Sequence, residues 1–143
     1  MAAKHFSLVK RLLGGRDSVE DLDALFREAL LMTLARATHA DSFTSHAEVE
    51  TVREVYKQHT GQEVSAADVR IAAASDLFET ASLDKWLGSV ARRLDQTRSR
   101  AIARALIEVI RTDGQVRSGE ADFFNMVADA LGLRPIDIVE IAS

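Results

Sequence analysis

Residues 110–120 read IRTDGQVRSGE, and the fold turns on how this stretch is parsed. Before it, Ile102, Leu106, Val109 and Ile110 recur at helical spacing; after it, a second helical pattern starts near Ser118. Asp113-Gly114 suits a tight reversal between the two, since glycine takes positive φ without a Cβ penalty. Glu120, seven residues beyond Asp113, falls in the first turn of the second helix, where the dipole and the free amides favour a carboxylate. The stretch is therefore the corner of a helical hairpin.

The same spacing occurs seventy-two residues earlier, in THADSFTSHAE, where Asp41 precedes Glu48 by seven. Laying Asp41 on Asp113 aligns two units, each an apolar helix, an acidic corner, a second helix, a glycine stop at Gly61 or Gly132, and a short final helix. Neither hairpin can bury its apolar face alone. The expected fold is all-α, a single compact bundle of about seven to eight helices built from two pseudo-repeated hairpins.

Working outward, Ser18 opens a long helix reaching about His39, with Glu20, Asp21 and Asp23 in or near its first turn. Its apolar positions, among them Leu22, Leu25, Phe26, Ala29, Leu30 and Met32, cover more than one face, so it is a central helix. Ser45 and Glu48 form a capping box for the third helix, which stops at Gly61. Ser65 with Asp68 caps a fourth, expected to run through Leu77 and Phe78. Ser82 starts a fifth, containing Trp86, Leu87, Val90 and Leu94, and the polar DQTRS marks the break before the sixth. Trp86 reads as core or interface. The last helices are 118–131 and a short one after Pro135.

Residues 4–13 carry Phe6, Val9, Leu12 and Leu13 opposite Lys4, Lys10 and Arg11, giving a short amphipathic helix ended by Gly14-Gly15. The expected organisation is this N-terminal helix within 1–16, followed by one domain over 17–143. Docking on the domain is its plain role, and weak membrane-surface contact or binding to a partner or second copy is the alternative.

Composition narrows the function. The chain has 143 residues, 47% hydrophobic and 28% charged, with one proline, which favours one helical domain over a turn-rich sandwich or barrel. It has no cysteine, so a thiolate metal site, a disulfide framework and a cysteine nucleophile are excluded. No apolar run is long enough to span a membrane, and the expected location is the cytoplasm. The net charge of −4 argues against general nucleic-acid binding, although six arginines fall within 92–111. Those arginines read as a solvated helix face.

The stretch TDGQVRSGEADFFNMVADALGL, from Thr112 to Leu133, resembles the TerB-like (tellurite resistance protein B-like) domains, whose pattern is an apolar helix, A/T-D-G-x-V-x-x-x-E, and a helix closing in A-x-x-L-G-L. The first copy keeps Asp41 and Glu48 but has Ser42 where that family favours glycine. The resemblance covers roughly residues 20–140. It implies an all-helical bacterial domain with two related hairpins and an acidic surface for a divalent metal or protein contacts in a stress response, with Asp41, Glu48, Asp113 and Glu120 at the matching positions.

The acidic corners support two readings. In one, each acid satisfies its own helix start and no ion is needed. In the other, four carboxylates crowd one surface and a cation or a basic partner relieves their repulsion; oxygen ligands of this kind suit Ca²⁺ or Mg²⁺. An EF-hand fails on spacing, since Asp113 as position one puts Ser118 at the glycine position and Phe124 at that of the glutamate. His39, Asp41, His46 and Glu48 have zinc-ligand chemistry but read as polar surface. No nucleophile elbow, H-E-x-x-H or phosphate loop is present, so the expectation is a binding module and not an enzyme, with a protein partner or a second copy as its target.

Overall fold

A computed structural model of the chain describes residues 18–38, 46–74, 82–111 and 118–142, with the side chains of 46, 47, 118 and 140–142 excepted. Within these residues the chain forms seven helices: α1 Val19–Ala37, α2 His46–Thr60, α3 Ala66–Ala73, α4 Leu83–Ala91, α5 Gln96–Ile110, α6 Ser118–Ala130 and α7 Pro135–Ala142. The all-α bundle of two related helical hairpins is the observed architecture. The expected helix at 4–13, the capping box at Ser45 and the glycine and serine at 114 and 42 lie outside the described residues.

Local chemistry sets most helix ends. Ser18 Oγ accepts from the Asp21 amide at 3.0 Å while the Asp21 carboxylate accepts from the Ser18 amide at 3.4 Å, a complete capping box. Ser65 accepts from the Asp68 amide at 3.0 Å and Asp95 from the Arg98 amide at 2.8 Å, starting α3 and α5. At the other end of α1, the Thr38 hydroxyl donates to the Ala35 carbonyl at 2.6 Å. Gly61 and Gly132 close α2 and α6 with the same φ of +72°. Corresponding stops in the two units thus have the same backbone solution.

Two expected helices are shorter than their sequence pattern. The fourth ends at Ala73, with Ala74 leaving helical geometry at φ −102°; Leu77 and Phe78 lie outside the described residues. The fifth ends at Ala91; Leu94 sits in the following turn, its amide bonded to the Val90 carbonyl at 3.1 Å, and still buries its side chain. An apolar residue in a turn satisfies the periodicity as well as one in a helix, which is why spacing alone counts Leu94 with the fifth helix.

α1 is the shaft of the bundle. It packs against α2, α3, α4, α5 and α6, and eight of its positions from Ala29 onward are buried, including Leu30 and Leu34 at zero exposure. α5 lies along α1, with Ile102 and Leu106 fully buried, and carries α2, α6 and α7 on its other sides. The two units are not packed identically. α2 lies directly on α5, whereas α6 has α4 as its main neighbour, and α4 also reaches α1. Trp86, Leu87 and Val90 fill this seam as core, as the sequence indicates for Trp86.

Candidate functional site

The two acidic corners follow α1 and α5. Glu48 is the third residue of α2 and Glu120 the third residue of α6, so both glutamates stand at the same point of their hairpins, half-buried at a helix start. Asp41 and Asp113 lie outside the described residues, as do His39 and the side chain of His46. Glu120 borders a cleft of about 170 Å³ between α5 and α6, with Ile107, Ile110, Arg111 and Phe124 around it. Glu48 is not among the residues lining that cleft. Among the described residues no group of three or more His, Asp or Glu side chains is placed to hold a metal ion.

Two of the six arginines of 92–111, Arg98 and Arg100, are more than a solvated face. Arg98 on α5 reaches Asp23 of α1 at 2.5 Å and also Asp95 at its own helix start. Asp137, the third residue of α7, has a side chain only 3% exposed and gathers Gln96 at 3.3 Å, Arg100 at 3.5 Å, and the amide and Nε of Arg134 at 3.0 and 3.2 Å. The Arg134 guanidinium and amide, with Arg100 beside them, hold the Asp137 carboxyl below the usual carboxylate range. The hub ties α7 to α5.

Further along α5, His59 Nε2 of α2 lies 3.2 Å from both oxygens of Glu108. Next to that pair an open cleft of about 450 Å³ is walled by His59, Thr97, Arg100, Ala101 and Arg104.

The most unusual group is Glu28, in the middle of α1. It is 2% exposed, and neither carboxylate oxygen has a hydrogen-bond partner. Burial pushes its pKa up to about 8, so the group is largely a neutral acid near pH 7. Thr33, one and a half turns on, also buries its hydroxyl without a partner. Periodicity misses Glu28, because a helix buried on several faces offers no polar side for it. The available signal was a lone acid, next to Arg27, in the mainly apolar span from Leu25 to Leu34.

Among the described residues no helix is long and apolar enough to cross a membrane. Neither curated proteins nor solved structures yield a significant match to the chain. The family model for tellurite resistance protein TerB matches residues 27–143, from within α1 to the last residue, and so takes in both hairpins and both acidic corners. With the repeated hairpin, the paired glutamates and the matched span in agreement, the chain belongs to the TerB family.

Proposed function

We propose that this TerB module acts by binding and not by catalysis, its acidic corners receiving a divalent cation or a basic protein partner. The observation that carries the reading is the common register of Glu48 and Glu120, each the third residue of the helix that follows its corner. A seven-residue spacing then delivers one aspartate and one glutamate to each corner. Asp41 and Asp113 are the primary carboxylates in this reading, and Glu48 and Glu120 support them from the helix starts. Such hard oxygen donors favour Ca²⁺ or Mg²⁺ over softer metals. A bacterial stress or tellurite-resistance setting rests on the family resemblance alone, and a cytoplasmic location on the lack of cysteine and of a long apolar run.

Calorimetric titration with Ca²⁺, Mg²⁺ and Mn²⁺ tests the cation. Saturable heat that is lost in the Asp41→Asn, Asp113→Asn double variant supports it; no heat at millimolar metal sinks it and leaves the basic partner. A second reading, a metal-free adaptor that pairs with another protein or with itself, draws on α7. There Ile136 and Val139 stand 56% and 63% exposed, three residues apart on one side of the helix. Native mass spectrometry separates the two readings, since one spectrum reports subunit number and retained ions.

A further inference from the structure

Thr97, Arg100, Ala101 and Arg104 follow one another along a single face of α5, at the i, i+3, i+4 and i+7 spacing that stacks side chains on successive turns. With His59 of α2 they enclose the open cleft of about 450 Å³. Three features give this cleft the character of an anion site.

First, Arg104 is exposed and makes no ion pair or hydrogen bond with any described residue. The acid one turn away, Glu108, is the residue a helix would ordinarily set against it. Glu108 instead lies with both oxygens 3.2 Å from His59. Second, Arg100 is anchored: its guanidinium lies 3.5 Å from the buried Asp137 carboxylate, which does not line the cleft, and a side chain so held loses less entropy on binding. Third, the first turn of α5 contributes the Thr97 hydroxyl and the positive end of the helix, while Ala101 leaves the floor between the two arginines free of bulk. Arg100 and Arg104 are about 6 Å apart along the helix axis, a span over which two guanidinium groups can grip one tetrahedral oxyanion.

We propose that this cleft binds a phosphate-type oxyanion, either free phosphate or the phosphate of a small molecule or lipid headgroup. The anion sits between Arg100 and Arg104, accepts from the Thr97 hydroxyl, and has the His59 ring at its rim. Nothing in this depends on the acidic corners, so the cleft and the corners are independent sites on one module.

The test is titration of the full ¹⁵N-labelled chain with inorganic phosphate at low salt, followed by amide shifts and compared with sodium chloride at equal ionic strength. Saturable shifts confined to Thr97 through Arg104 and to His59, weakened roughly tenfold in Arg104→Gln at unchanged melting temperature, are expected for the loss of one charge-assisted contact. Absence of saturation with phosphate, an equal response to chloride, or an Arg104→Gln chain that titrates like the parent overturns the site. Once phosphate binding is seen, vesicles containing phosphatidic acid assign its source. Co-sedimentation that Arg104→Gln abolishes points to a lipid headgroup and no co-sedimentation to a soluble phosphate, and both support the cleft.

Discussion

Asp23 and Asp95 hold one guanidinium between them: Arg98 bonds to the first across the α1–α5 interface and to the second at the cap of α5. The two aspartates are seventy-two residues apart, the same interval that separates Asp41 from Asp113 and Glu48 from Glu120. Corresponding positions of the two units therefore meet near the beginnings of their first helices. Arg98 draws both together.

Replacing Arg98 with glutamine removes the charge and keeps the first part of the stem. Both aspartates are half exposed, so solvent screens the pairs and the expected loss is modest, about 1 kcal/mol in urea denaturation. The difference from the parent should shrink in molar salt, where the Debye length falls to about 3 Å. A loss unaffected by salt would mean that Arg98 acts through packing of its stem.

Glu28 sets a pH dependence of definite sign. Its pKa is raised from 4.5 in the unfolded chain to about 8 in the fold, so the native state keeps a proton that the unfolded state releases. Stability contributed by this group is fully present below pH 4.5, falls as pH rises toward 8, and is flat beyond. The slope for one such proton is about 1.4 kcal/mol per pH unit. Glu28→Gln should flatten the melting profile across this window and exceed the parent in stability at its alkaline end. Parallel profiles for the two chains would show that Glu28 is ionised or solvated in the fold.

Asp137 works in the opposite direction. Its lowered pKa places its contribution above the ordinary aspartate value of 3.8, to be lost as pH falls through the folded-state value. Asp137→Asn should lower the melting temperature at neutral pH, and the deficit should close in strong acid. Since Asp137 joins α5 to α7, hydrogen exchange in α7 should speed up before that in α1.

Gly132→Ala tests the helix stops. A Cβ there would meet no atom within 4 Å, so the penalty comes from φ +72° alone, about 1 kcal/mol in chemical denaturation. Gly61→Ala has the same φ and the same open surroundings, and should cost the same. Unequal costs would show that one stop relaxes into another geometry.

Much of this fold was legible because it is written in local chemistry. Ser18, Ser65, Gly61 and Gly132 each act on backbone groups within about one turn, so their roles follow from neighbours in the chain. The repeat was legible from Asp41, Glu48, Asp113 and Glu120, whose spacing also placed the two glutamates correctly at their helix starts. Glu28, Asp137 and the His59–Glu108 pair were not. Gln96 and Asp137 are forty-one residues apart and His59 and Glu108 forty-nine, so those partners are chosen by how α2 and α7 dock on α5. Periodicity reports which face is apolar, and cannot say that an acid is buried on it. The arginines of α5 were read as solvent-facing for the same reason, though docking gives Arg98 and Arg100 structural partners.

The position of α1 has one more consequence, for motion. A helix walled in by five others cannot fray alone, because releasing it strips cover from α2, α3, α4, α5 and α6 together. Its middle amides, from Leu30 to Leu34, should exchange with solvent deuterium only when the entire molecule opens, and their rates should report global stability. The carboxyl of Glu28 shares that seclusion: hydroxide reaches it at the tempo of whole-molecule opening.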